Sequence, residues 1–178
     1  MARSTEPTET VWEGRYLVAK KRGQWEFVAR PRSIRAAVIL AFDGDKVILV
    51  EQYREPMSRP CIELPAGLIG DEDGAQDEDD AAAATRELEE ETGYRAGRME
   101  FMGEFYSSPG MMSESFSLFR AQDLERVGDG GGVESEDITV HRVSLADLPA
   151  FTDRMRARGM GIDVRVMALL MSGWNLPR

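Results

Sequence analysis

The 178-residue chain has one cysteine and one histidine. A single Cys61 excludes an internal disulfide and fits a reducing compartment. His141, standing alone, makes a His-rich zinc site and a Ser-His-Asp triad with a spare imidazole poor candidates. Long apolar runs are also missing. The longest, Ala36–Phe42 and Val166–Met171, fall far short of the ~20 residues that a spanning helix needs. The opening stretch MARSTEPTET has no apolar signal-peptide core, so the expected location is cytoplasmic, with no membrane partner. Positive charge is in short supply. Against 22 Lys and Arg stand 32 Asp and Glu, a formal charge of −10, which argues against a nucleic-acid partner. Catalytic chemistry in such a chain has to rest on carboxylates, Lys and Arg, and metals that prefer oxygen.

What is present suits one soluble domain. Apolar residues make up 42%, enough for a core at this length. Charge divides unevenly: +3 up to Pro60 and −13 after it. The first part could contact phosphate and the second could hold cations, or the contrast reflects no more than an acidic loop. Residues 1–10 are polar and expected to be disordered. Residues 11–33 read as a β-hairpin region, with strands Val11–Ala19 and Trp25–Arg30 about a turn at Lys20–Gly23. Residues 34–178 form the main domain. Asp43-Gly44-Asp45 between Arg35–Phe42 and Lys46–Gln52 predicts a hairpin. Cys61–Leu64 is extended and ends in Pro65-Ala66-Gly67. Ala81–Thr92 favours a helix, capped by Asp79 or Asp80 and ended by Gly93. Met99–Tyr106, Ser115–Ala121 and Ile138–Val143 read as strands. Ser144 is expected to cap a helix over Leu145–Arg158, with Asp147 completing a capping box. A last helix spans Asp163–Trp174. Strands outnumber helices without strict alternation, so the fold class is α+β with a mixed sheet.

The informative segment is Arg86-Glu87-Leu88-Glu89-Glu90-Glu91-Thr92-Gly93-Tyr94. On a helix, Glu87, Glu90 and Glu91 stand at i, i+3 and i+4 and share a face. Three clustered carboxylates need water or cations between them, and Mg²⁺ or Mn²⁺ suits such all-oxygen donors. The pattern Arg-Glu-apolar-x-Glu-Glu-x-Gly-apolar resembles the Nudix box of the Nudix hydrolase superfamily. Its six defining positions arise by chance about a few times in ten million starts, taking charged residues at ~6% and Gly at ~7% each. Glu78 stands where the family has an earlier Glu. Gly67, within Glu63-Leu64-Pro65-Ala66-Gly67-Leu68-Ile69, matches the family's first Gly if Gly70–Asp77 holds a five-residue insertion. Pro109 within Ser107-Ser108-Pro109-Gly110, together with Gln52-Tyr53-Arg54, Glu134–Ile138 and Ile162–Val166, resembles the ADP-ribose pyrophosphatases.

The resemblance implies a Nudix-type α/β/α sandwich around a mixed β-sheet, and hydrolysis of ADP-ribose to AMP and ribose 5-phosphate. Other nucleoside diphosphate substrates (GDP-mannose, FAD, NADH) and a non-catalytic ADP-ribose sensor are the alternatives. By resemblance, Glu87, Glu90, Glu91 and Glu136, with the Ala66 carbonyl, hold Mg²⁺ or Mn²⁺. Arg86 orients the Glu side chains, and Glu134 is the catalytic base, although Glu134 and Glu136 can exchange roles. The glycines Gly130–Gly132 would let the loop bearing these two acids close over substrate. Arg54 resembles a substrate-contacting Arg, or else forms an ion pair with Glu51 or Glu55. Tyr16, Trp25 and Glu26 fall where relatives bind adenine, with Arg30 on the same stretch, or else the two aromatics pack the hairpin. Pro109 belongs to the substrate motif, and Glu114 contacts the ribose side or sits at a solvated strand end. The amino-terminal strands of such proteins often exchange between protomers, so a homodimer is expected.

Overall fold

A computed structural model describes residues 4–31, 34–70, 79–133 and 136–170. Its centre is set by two long apolar strands, β4 (Arg35–Asp43) and β5 (Lys46–Arg54), joined by the tight turn at Gly44–Asp45. Both are buried on both faces, the pattern of strands covered by helices on either side. Alternation divides their side chains. Val38, Leu40, Val47 and Leu49 face one layer, packing with Ile62, Leu148, Phe151, Met155 and Val166. Ala37, Ile39, Ala41 and Ile48 face the other, packing with Ala83, Ala84 and Leu88. Burying each Val, Leu or Ile stabilises by about 1.5–3 kcal/mol, so these two layers hold the sandwich together.

Around this centre lie β6 (Arg59–Glu63), β7 (Ala66–Ile69), β8 (Tyr94–Tyr106), β9 (Ser115–Arg126), β10 (Thr139–Ser144) and β11 (Gly161–Ile162). The eight-stranded sheet runs β11-β6-β5-β4-β9-β8, with β10 on β5 and β7 on β4. It is mixed: β4 runs parallel to β9 and β11 parallel to β6, while the other pairs are antiparallel. Helix α1 (Asp80–Thr92) covers one face, and α2 (Leu148–Ala157) with α3 (Val164–Leu170) covers the other. This is the expected α+β sandwich. Among the described residues no helix is long and apolar enough to cross a membrane.

Of the two candidate caps of α1, Asp79 is the one used. Its carboxylate accepts from the amides of Ala81 and Ala82 at 3.2 and 3.0 Å. Asp80 accepts instead from Arg35 at 2.7 Å and from the Ser117 hydroxyl at 3.0 Å, which ties the helix start to β4 and β9. Gly93 ends the helix at φ 72°, as expected for a left-handed cap.

Three expectations are corrected. The amino-terminal region is a three-stranded meander, not a hairpin: β1 (Glu9–Glu13), β2 (Val18–Arg22) and β3 (Trp25–Ala29). Gly14 splits the first expected strand, and its amide donates to the Leu17 carbonyl at 2.8 Å to close a turn. The second turn lies at Gly23–Gln24, and the first strand starts at Glu9, inside the stretch expected to be disordered. Strands β8 and β9 extend past their apolar centres, because backbone pairing from Tyr94↔Arg126 to Tyr106↔Ser115 carries polar ends that show no alternation. Helix α2 starts at Leu148, not Leu145. Pro149 has no amide to give to the Leu145 carbonyl, so Ser144 and Asp147 bond to each other in a turn ahead of the helix. The last helix, α3, begins at Val164, one residue after its approximate expected start, and residues 171–178, with Trp174, lie outside the described residues.

Candidate active site

The second half of α1 turns Glu87 and Glu91 toward the start of β7, while Glu89 pairs with Arg95. Glu91 is only 4% exposed, and its Oε2 accepts from the Ala66 amide at 3.0 Å. Glu87 lies against Gly67, where any Cβ would overlap its carboxyl carbon. The Arg86 guanidinium reaches both helix neighbours, Nη1 lying 2.9 Å from Glu87 Oε1 and 3.2 Å from Glu90 Oε2. Burial pushes the Glu91 carboxyl up to about 8 against the pull of the Ala66 amide, and the charges of Glu87 and Glu136 add to the rise. Burial also pushes Glu87 up to about 6, against Arg86. Glu136 is therefore close enough to be felt by both, while its Oε2 accepts from the Val133 amide at 3.1 Å.

Among the described residues no three His, Cys, Asp or Glu side chains already stand together as a metal cage. Arg86 and the Ala66 amide occupy the carboxylate oxygens instead. The donor set still fits a hard cation. It is all oxygen, and the Glu87 and Glu91 carboxyls are raised by burial and, to a lesser extent, by the charge of neighbouring acids, which an added cation relieves.

The glycine-rich stretch, flexible by composition, is bonded through its backbone in this structure. It wraps the end of α1. The amides of Gly131 and Gly132 donate to the carbonyls of Glu91 and Glu90 at 2.9 and 3.0 Å, and those of Val127 and Gly128 donate to Gly93 at 2.8 and 3.1 Å. These are the carbonyls that a helix leaves unpaired at its C-terminus. At Gly130 (φ 70°) a Cβ would overlap the Thr92 carbonyl carbon, so the close approach needs glycine. Glu136 thus springs from a stretch clamped to the residues beside it. Glu134 and Glu78 lie outside the described residues.

Arg54 pairs with neither Glu51 nor Glu55. Its Nε and Nη2 meet Glu63 Oε1 and Oε2, each at 2.7 Å, and Glu91 also bears on it electrostatically. Glu51 instead holds His141, Nε2 to Oε2 2.8 Å, with the Phe151 ring edge-on. Sequence reading missed Glu63, although a charged residue between Ile62 and Leu64 in a buried strand was the available signal.

The other substrate candidates divide into two groups. Trp25 and Pro109 line one cleft of about 290 Å³ with Phe27 and Met112. Glu26 follows Trp25 on β3, so its side chain leaves from the opposite face. Arg30, Glu114 and Tyr16 form a second group: Arg30 Nε donates to Glu114 Oε1 at 2.6 Å and Nη1 to the Tyr16 carbonyl at 3.4 Å. The Tyr16 ring carries the Arg15 guanidinium, 5.1 Å from its centroid, and does not line the Trp25 cleft. The backbone of β3 is stitched to the Pro109 loop, Val28 donating to Met111 and Ser113 to Val28 at 3.0 and 2.9 Å. Cys61 is buried, and burial pushes its thiol up to about 12, so it is inert here.

The chain is similar to known proteins over most of its length. The profile of the NUDIX domain matches residues 31–161. The ADP-ribose pyrophosphatase of Bacillus subtilis (strain 168) is 37% identical over 128 residues, 71% of this chain and 65% of that protein. The methanol dehydrogenase activator of Bacillus methanolicus is 35% identical over 139 residues, 73% of this chain and 71% of that one. A GDP-mannose pyrophosphatase of Cronobacter sakazakii is 34% identical over 146 residues, covering 74% and 72%. The crystal structure of an ADP compounds hydrolase superposes with a TM-score of 0.66 at 25% identity, covering 96% of this chain and 95% of that one.

Proposed function

Since the chain belongs to the NUDIX domain family and is a Nudix hydrolase, we propose that it hydrolyses the diphosphate of ADP-ribose to AMP and ribose 5-phosphate. The observation that carries this reading is Glu91 on the Ala66 amide and Glu87 against Gly67, with Arg86 joining Glu87 to Glu90, the charge of Glu136 felt by Glu87 and Glu91, and that of Arg54 felt by Glu91. These four acids and the Ala66 carbonyl would hold Mg²⁺ or Mn²⁺, which neutralises a diphosphate and acidifies water when bound. Arg86 keeps the box carboxylates oriented by charge-assisted hydrogen bonds. Arg54 meets the diphosphate with the part of its guanidinium that Glu63 does not cover. Glu134 takes the proton of the attacking water. Water adds to one phosphorus, the bridging P–O bond breaks, and the freed phosphate leaves with the electron pair.

The Trp25–Pro109 cleft supports an aromatic base, since a ring stacks on the exposed indole. Arg30 and Glu114 would sit on the ribose side. The reading includes a cytoplasmic homodimer. Val11, Trp12 and Leu17 of the meander are exposed, Trp12 by 59%, and a second copy would cover exposed apolar residues of this kind. A second reading, GDP-mannose as substrate, is favoured by relatives of that name at similar identity. A panel of ADP-ribose, GDP-mannose, FAD and NADH with Mg²⁺, its products separated by chromatography, tests both. The expected result is AMP from ADP-ribose at the highest kcat/KM. Preference for GDP-mannose would move the second reading to first place.

A further inference from the structure

Glu63, at the end of β6, is 3% exposed. A carboxylate taken out of water is strongly destabilised unless it is paired, and two arginines pair it. Arg54 forks onto both of its oxygens at 2.7 Å. Arg165, on α3, brings Nη2 to 3.5 Å from Oε2. Arg165 is itself held by Asp163, its Nε and Nη2 donating to Oδ1 and Oδ2, each at 2.7 Å, while the Arg165 amide donates to Oδ1 at 2.7 Å. The Phe116 ring lies 5.7 Å below its guanidinium. Asp163 is registered on the same strand as Glu63, because its amide donates to the Ile62 carbonyl at 3.0 Å and β11 pairs with β6. The charges alternate along one line: Asp163, Arg165, Glu63, Arg54.

This order has a consequence for Arg54. With Asp163 present, the fork of Arg165 is occupied and both oxygens of Glu63 remain for Arg54. Without Asp163, the fork of Arg165 would turn onto Glu63 and compete with Arg54 for it. Without Arg165, Asp163 would be left unpaired and free to draw Arg54 away. We propose that Asp163, Arg165 and Glu63 are positioning residues that hold the Arg54 guanidinium at the edge of the acid cluster, so that affinity for the substrate diphosphate is set in part by α3. The proposal rests on the reading above that Arg54 contacts that diphosphate.

The test uses the full chain with Mg²⁺ and ADP-ribose, comparing Arg165→Met, Arg165→Lys, Asp163→Asn, Arg54→Ala and Arg54→Ala/Arg165→Met. Steady-state kinetics is paired with calorimetric binding of the α,β-methylene analogue of ADP-ribose, which is not hydrolysed. Arg165→Met should raise both KM and the analogue Kd about tenfold, the lower end of the loss seen when a residue that orients a metal ligand is removed, with kcat little changed. Arg165→Lys, which keeps the charge, should restore part of that affinity. In the Arg54→Ala background, Arg165→Met should add nothing further, because the residue it positions is gone. If Arg165→Met fails to fold, Arg165→Lys and Asp163→Asn carry the same comparison. Normal KM and Kd in folded Arg165 and Asp163 variants, with Arg54→Ala impaired, overturns the positioning role alone. Normal KM and Kd in Arg54→Ala itself overturns the diphosphate contact, and the positioning role with it.

Discussion

Glu90 and Glu91 are neighbours in the chain with opposite surroundings. Glu91 points inward, buried on the Ala66 amide. Glu90 is half-exposed and, among the described residues, its side chain is held by Arg86, one helical turn away. The Arg-Glu-Leu-Glu-Glu-Glu run placed both acids on one helix face, but helical spacing does not say which one the β6–β7 connection covers. The difference separates function from stability. Glu90→Gln removes a cation donor and an exposed ion pair worth at most about 1 kcal/mol, so Tm should move by less than about 4 °C. Turnover should fall at least tenfold or so, with a higher Mg²⁺ requirement. Thermal unfolding and a Mg²⁺ titration of the rate check both, and unchanged turnover would remove Glu90 from the metal set. Glu63 shows the limit of residue-by-residue reading. Its neighbours Ile62 and Leu64 marked a strand, but its partners Arg54 and Arg165 stand 9 residues before it and on a helix near the end of the chain.

At the scale of elements, the clamp of Val127–Gly132 over the end of α1 is the clearest departure from what composition suggests. Asp-Gly-Gly-Gly reads as a flexible loop. Here the same absence of side chains lets the backbone approach the helix end closely enough to satisfy its open carbonyls. Gly128 and Gly130 therefore differ. At Gly128 a Cβ meets only the Gly93 Cα, at 3.9 Å, whereas at Gly130 it overlaps helix backbone at φ 70°. Gly128→Ala should be tolerated. Gly130→Ala should cost about 1–3 kcal/mol in strain, speed hydrogen exchange at the Gly131 and Gly132 amides, and lower kcat as the loop bearing Glu136 loses its anchor. Equal protection of those amides in both variants would show that the clamp does not hold the loop. Elements with strong local signals were legible beforehand. The α1 helix with its acidic start at Asp79–Asp80 and its Gly93 cap, and the Asp-Gly hairpin, carry their instructions within a few residues, although the choice of Asp79 over Asp80 as cap came from the contacts of Asp80 with Arg35 and Ser117. The start of α2 was misread because Ser144 and Asp147 satisfy a capping pattern that Pro149 prevents from continuing as a helix from Leu145.

At the scale of the molecule, the unfinished feature is the amino-terminal meander. Its sheet is separate from the eight-stranded one, and it exposes Val11, Trp12, Leu17 and Trp25. Light scattering at micromolar concentration should give a mass twice that of the 19.9 kDa chain. Trp12→Glu should shift it toward the monomer by placing a charge in the apolar contact. A monodisperse wild-type monomer would overturn the dimer and leave the Trp25 cleft to be completed within one chain.

The sequence by itself determined the family, the mixed-sheet α+β class and the acid-bearing helix, because a periodic apolar pattern and a nine-residue motif act locally. Only the tertiary structure decided that Glu91 is the buried acid, that Arg54 is held by Glu63, that Trp25 joins Pro109 while Glu26 turns away, and that the glycines grip rather than swing. Each of these depends on which distant backbone or side chain closes over a residue. Burial and ion pairing are set by that approach in space and not by spacing along the chain.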